Sequence, residues 1–307
     1  MRFRDYHCPL TAAPYPTSRG CLDIRRVTTL VGMSHEAYPT DLSDVEWSIL
    51  APLLEARTRR GRPRTHARRT MLNAVLYVLR GGVAWRLLPH AYPPWHSVYD
   101  QFRRWCRSGI WRTVNDALRE QTRALIGRTG SPRMAIIDSQ SARTSEVGGE
   151  RGYDGGKRLC GRKRHLVVDS QGLVLHVCVH PANVHDRRGG EQVLSGLHER
   201  FPTVTQLFAD MGYRGLGPWL AAHLAWQLII VQRPRRWAWV GPGQDPPEMP
   251  AGFTVLPQRW LVERTFAWLG RNRRLTKDWE RLSVTTETWI YLAMSRLMVK
   301  RIAKAMT

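Results

Sequence analysis

The sequence predicts a helical N-terminal domain, residues 33–128, followed by a mixed α/β domain, residues 129–307, in which helices cover the faces of a sheet. Three observations predict it. Before about residue 128, apolar residues recur at helical spacing between Gly and Pro stops. From about residue 132, short apolar runs and helical segments follow in the order β-β-β-α-β-α-β-α, which sets helices against a sheet. Two of those runs, "AIID" and "LFAD", end in an aspartate, Asp138 and Asp210.

The elements follow in chain order. Residues 1–32 lack periodicity and read as a disordered tail, with Met33 as the expected natural start. "SDVE", residues 43–46, is a capping box that opens a helix through Trp47, Leu50 and Leu54. Residues 57–69 carry seven arginines, and "RGRPR" within them (Arg60, Arg62, Arg64) resembles the core of an AT-hook. A solvated basic linker has the same composition. "TMLNAVLYVLR" reads as a helix stopped by Gly81 and Gly82, and "AWRLLP" as a short helical piece. "PWHSVYDQFRRWCRSG" reads as a second long helix, with Pro94 at its start and Gly109 after its end. Helix, turn and helix with Arg103, Arg104 and Arg107 suit a helix-turn-helix, although a plain bundle has the same pattern. Trp85, Trp95, Trp105 and Trp111 are expected in the core.

Beyond residue 132, "RKRHLVVDSQGLVLHVCVH" contains two strands joined at "DSQG" as a hairpin. "GGEQVLSGLHERF" and "LGPWLAAHLAW" are helical; "TVTQLFAD" and "QLIIVQRP" are strand-like. The Pro- and Gly-rich stretch after "RPRRWAW" is a loop.

Lys and Arg number 47 against 25 Asp and Glu, a net charge of +22, and only five of the 47 are lysines. A chain this basic usually has a polyanionic partner, with nucleic acid the first candidate and a ribosomal or membrane-surface protein the alternative. Five scattered cysteines without a Cys-x-x-Cys pair argue against a zinc site or disulfide framework and fit a reducing cytoplasm. No stretch reads as a membrane span or a secretory signal.

Ligands of α/β sheets sit beyond the carboxyl ends of strands, where Asp138 and Asp210 are expected. A third carboxylate, Glu263, lies in the helical stretch "RWLVERTFAWLGRNRRL". At about 100° per residue, Arg259, Ala267, Gly270 and Arg274 all fall within about 40° of it. Glu263 thus shares a face with two arginines and two small residues that leave space above it. Its other reading is an i,i+4 ion pair with Arg259, worth a few tenths of a kcal/mol. Three carboxylates without Cys or His suit two Mg²⁺ or Mn²⁺ ions, which in pairs promote phosphodiester displacement. "GGKRLCGRKRH" supplies Lys157, Arg162, Lys163 and Arg164 for a phosphate-gripping loop, with a solvated loop as the other reading. Asp186 in "ANVHD" either reaches the site or caps the next helix, and His185 is given no metal role.

Taken together, "TDLSDVEWSIL", "GRPR", "YPPWHSVYDQFRRW", "AIIDSQSAR", "GRKRHLVVDSQG", "ANVHD", "ADMGYRG" and "RWLVERTFAWLGRNRRL" resemble the DDE transposases of bacterial insertion sequences, specifically the insertion-sequence-five family. The resemblance runs from about residue 38 to about 300. It implies an RNase H-like catalytic domain with Asp138, Asp210 and Glu263 as the triad. It also implies double-stranded DNA as partner: terminal inverted repeats, held by the helical domain, and target DNA. A dimer or higher assembly on DNA in the bacterial cytoplasm is expected. The related insertion-sequence-four group carries Tyr-x2-Arg-x3-Glu-x6-Lys around its glutamate. Arg259 and Glu263 fit it, but Leu256 and Gly270 replace the Tyr and Lys, leaving Arg271 or Arg274 as substitutes for DNA contact. A metal-dependent nuclease of the same fold and a DNA-binding repressor with a decayed site are the alternatives.

Overall fold

The structure is a computed structural model that describes residues 38–54, 65–231 and 258–307. The expected tail at residues 1–32, Met33, the arginines Arg60, Arg62 and Arg64, Leu256 and the loop after residue 233 lie outside the described residues.

Helix α1 (Asp44–Leu54) begins as its capping box requires. The Glu46 amide donates to Ser43 Oγ at 3.2 Å, and the Ser43 amide donates back to Glu46 Oε2 at 2.9 Å. The same carboxylate pairs with Arg296 at 2.6 Å, which ties the helix start to the C-terminal helix. Ser43→Ala is expected to cost about 1 kcal/mol, read from the urea midpoint. Helix α2 (Arg68–Gly81) stops at Gly82, whose left-handed backbone (φ 68°) lets its amide reach the Val78 carbonyl. A 3₁₀ turn (Trp85–Leu87) leads to α3 (Trp95–Ser108) and α4 (Ile110–Leu125), with Gly109 (φ 64°) between them.

Strands β1 (Met134–Arg143), β2 (Gly152–Asp154), β3 (Leu159–Val168), β4 (Val174–Pro181), β5 (Gln206–Ala209) and β6 (Gln227–Ile230) form one mixed sheet. β3 runs antiparallel to β1 on one side and to β4 and β2 on the other, while β1, β5 and β6 are parallel. The "DSQG" hairpin forms as expected. Asp169 Oδ1 accepts from the Gln171 and Leu173 amides, and Gly172 takes φ 72°. Asp169 is fully buried and pairs with Arg123 of α4 at 2.6 Å.

Side-chain alternation divides the core into two layers. Ile136, Leu166, Val168, Val177 and Val179 face a core built with α1–α4, α8 (Arg259–Gly270) and α9 (Ser283–Met306). Ala135, Ile137, Val167 and Leu175 face the other way, onto α5 (Asp186–Leu194), α6 (Leu197–Arg200) and α7 (Gly217–His223). The described residues between 38 and 128 therefore share their core with the sheet and with the two C-terminal helices. Trp105 and Trp111 are buried there, and Trp85 packs with Phe102 and Trp289. Trp95 departs from expectation: it is 37% exposed beneath the Arg86 guanidinium, because it opens α3 at the surface. No helix among the described residues is long and apolar enough to cross a membrane.

On α9, Glu287 accepts the Val179 amide at 2.9 Å, and burial pushes its carboxyl up from 4.5 to about 7. A carboxyl that holds its proton more tightly folded than unfolded stabilises fully below its unfolded value, and that contribution is lost as pH rises through about 7. Denaturant midpoints between pH 5 and 8 are expected to fall, with this group contributing about 3 kcal/mol. Glu287→Gln, which keeps an oxygen acceptor for Val179, flattens that slope.

Candidate active site

The strand register places the two aspartates. β1 and β5 pair in parallel with Ile136 beside Phe208. Two residues further on, Asp138 and Asp210 lie at the same level on neighbouring strands, both on the carboxyl side. Asp210 is the first residue after β5, where its Oδ1 caps a 3₁₀ turn (Met211–Leu216) by accepting the Gly212 amide at 2.9 Å. Asp138 differs from the expected strand end: β1 continues to Arg143, because Asp138–Arg143 stay paired with β3. What ends at Asp138 is the apolar run and the pairing with β5.

Glu263 stands in the second turn of α8, exposed, with Arg259 one turn before it. The Arg259 guanidinium lies 3.6 Å from Glu263 Oε1 and 3.7 Å from Asp210 Oδ2. One cation thus joins the helix carboxylate to the strand carboxylate. The i,i+4 pair does form, but it is half of a three-residue contact. Among the described residues Arg259 Nε finds no hydrogen-bond partner, so the guanidinium is held by charge more than by fixed geometry. Asp138 senses the same cluster. Its carboxyl is pushed up to about 6, first by burial and then by the negative charges of Asp210 and Glu263, against the Ser139 amide and Arg259. Ala267 and Gly270 are exposed, and Gly270 has open space where a side chain would stand. Among the described residues, nothing stands over Gly270, and Ala267 beside Glu263 is exposed.

Among the described residues, no three His, Cys, Asp or Glu side chains meet closely enough to hold one metal ion as they stand. The donor chemistry nevertheless fits a hard divalent cation: all three carboxylates offer oxygen, and their accumulated negative charge already draws in Arg259 and burdens Asp138.

Several expected DNA contacts require correction. The segment read as a phosphate-gripping loop is strand from Leu159 onward, and three of its cations are buried. Arg162 is fully buried, pairs with Asp278 at 3.3 Å and donates to the Glu150, Glu280 and Arg281 carbonyls. Arg164 donates to the Leu275 and Lys277 carbonyls. Lys163 binds Asp186 and the Val184 carbonyl, both at 2.9 Å. Their charges are taken up by partners inside the protein and do not lie at the surface. Lys157 remains exposed on the β2–β3 turn. Arg274 also leaves the proposed face. α8 ends at Gly270, so the helical projection no longer applies, and Arg274 instead pairs with Glu280 at 2.7 Å and lies over Trp289. Arg271 is exposed just past the helix end, and Arg103 and Arg104 are exposed on α3.

The structure also adds residues. Asp186 opens α5, while the helix cap is His185, which accepts the Arg187 amide at 3.4 Å and points to solvent. Asp186 itself is turned toward the site: its Oδ1 accepts from Ser139 Oγ at 3.0 Å and from Lys163. Behind it, buried His165 meets the Tyr213 hydroxyl at 3.0 Å. Burial, and then the neighbouring His180, push His165 down to about 3, so it is neutral. The signal for Asp186 was present as the polar end of "ANVHD" after an apolar strand, but the capping reading competed with it equally.

Two family models match. Residues 42–115 match transposases of the IS4/5 family, and residues 129–298, more than half of the chain, match the transposase DDE domain. No curated protein and no solved structure matches significantly. The DDE domain implies an RNase H-like fold, in keeping with the mixed sheet and flanking helices. That domain carries DNA-cleaving and strand-transfer chemistry and generally works with divalent metal ions. The chain belongs to the DDE transposases of the IS4/5 type.

Proposed function

We propose that this chain cuts DNA at the ends of its element and joins the freed 3′ ends to target DNA, with Asp138, Asp210 and Glu263 as the triad. The observation that carries the reading is the Arg259 contact to both Asp210 and Glu263, beside Asp138 on the adjacent strand. It gathers one carboxylate from each of β1, the β5 end and α8 around a single positive charge. The three carboxylates would hold the divalent cations. Those cations, when bound, supply a stronger nucleophile at neutral pH and offset charge on the leaving oxygen. The chain does the rest. Partial burial limits the water around Asp138, the loosely held Arg259 can turn to a scissile-strand phosphate, and the surface at Ala267 and Gly270 admits the backbone.

Arg103 and Arg104 on α3 supply phosphate contacts for the terminal inverted repeats; Lys157, Arg259 and Arg271 supply them nearer the site. Arginine contacts to phosphate release counterions, so affinity should fall steeply with salt. Joining two ends calls for two or more copies on DNA. The test is incubation with Mg²⁺ and DNA carrying the inverted repeats that flank the reading frame. Cleavage at the repeat ends followed by joining to a plasmid supports the proposal. Cleavage without joining points to a nuclease, and binding alone to a repressor.

A further inference from the structure

Asp186 is a fourth acidic group at the site, and the assumed chemistry does not use it. Its surroundings are built rather than incidental. Lys163 Nζ and Ser139 Oγ both donate to its Oδ1, and Lys163 also donates to the Val184 carbonyl just before α5. Burial opposes its charge, but these bonds and the lysine charge hold its carboxyl below the usual range. With an ammonium at 2.9 Å, Asp186 is already neutralised and is poorly suited to ligate a second cation. One of its hydrogen-bond donors, Ser139, and one close backbone neighbour, Gly212, identify what it organises. Ser139 follows Asp138, and its amide donates to Asp138 Oδ1 at 2.7 Å. On the other side, Gly212, whose amide holds Asp210, lies against the Asp186 carboxylate: a Cβ there would stand 3.1 Å from Asp210 Oδ1 and 3.2 Å from Asp186 Oδ2. The helix that carries Asp186 comes this close because Gly189 has no side chain; a Cβ there would collide with Nε2 of both His165 and His180.

We propose that Asp186, locked by Lys163, is a positioning residue that fixes the Asp138 and Asp210 carboxylates relative to one another through Ser139 and Gly212. This rests on the reading of those two aspartates as the cation-holding pair. Partners that orient ligands in this way typically change metal affinity or activity by about 10–100-fold when removed.

The test uses the full chain, freed of metal, with Mn²⁺ binding followed by calorimetry and cleavage followed under single-turnover conditions. Asp186→Ala and Ser139→Ala are expected to weaken Mn²⁺ binding by at least about 10-fold and to lower the maximal cleavage rate. Metal-free affinity for element-end DNA and the apparent KM for DNA should stay unchanged. Ser139→Ala removes a single hydroxyl, so it remains informative if Asp186→Ala fails to fold. Asp138→Asn separates the two levels. If it binds Mn²⁺ as wild type does, the underlying triad reading falls. If it loses Mn²⁺ while Ser139→Ala keeps wild-type Mn²⁺ affinity and cleavage rate, only the positioning role is overturned. A lowered melting temperature with unchanged Mn²⁺ affinity would overturn it equally.

Discussion

Asp278→Ala is expected to destabilise the protein by about 3–5 kcal/mol, because it leaves a buried charge without its counter-ion. Asp278 and Arg162 are both fully buried, 3.3 Å apart. Asp278 also accepts from the Thr286 hydroxyl at 2.8 Å and from the Glu280 amide at 3.1 Å. Its own backbone bonds to the end of β1 and the residues just past it, through the Arg143 carbonyl and the Ser145 amide. The residue thus connects β3, the end of β1 and the first turns of α9. Three carbonyls would still face the guanidinium in the variant, but dipoles replace a full charge poorly in a dry interior. Equilibrium denaturation reads the loss. A change below about 1 kcal/mol would mean that water reaches the site. Replacing both partners with apolar residues should cost less than replacing Asp278 alone.

Glu263→Gln and Asp138→Asn are each expected to lower Mg²⁺-dependent cleavage by about 10³-fold or more, the rate equivalent of several kcal/mol of charge stabilisation at the metal. The two changes should differ elsewhere. Glu263 is exposed, and its amide still fits beside Arg259, so stability should hardly move. Asp138 carries a carboxyl raised to about 6, so the amide removes an unfavourable, partly buried charge at pH 7. Asp138→Asn should therefore be as stable as wild type at pH 7, or more so, while cutting nothing. Binding to element-end DNA should persist in both, since the exposed arginines are untouched.

Local signals made much of this legible. The Ser43–Glu46 box, the Gly82 stop and the "DSQG" hairpin depend on neighbours within a few residues, and each forms as expected. The aspartates were legible because a polar group that ends an apolar run must sit where the core ends. Partners distant in sequence were not legible. Arg162, Lys163 and Arg164 have the composition of a surface loop, and most of what makes Arg162 a core residue, Asp278 with the Glu280 and Arg281 carbonyls, lies more than a hundred residues further on. The continuation of β1 past Asp138 was hidden for the same reason, since its polar tail is strand only through pairing with β3. Gly270 misled in another way. It was read as a small residue clearing a helix face; it does so, but it also ends the helix, and that takes Arg274 out of the site.

The central claim is that the three carboxylates form one DNA-joining site. The most direct measurement is the joining of a pre-cleaved element end to supercoiled plasmid in Mg²⁺, with wild type and Asp210→Asn compared at equal DNA occupancy. Wild type should give joined product, and Asp210→Asn none although it binds the end equally well. Joining by Asp210→Asn at the wild-type rate would contradict that claim.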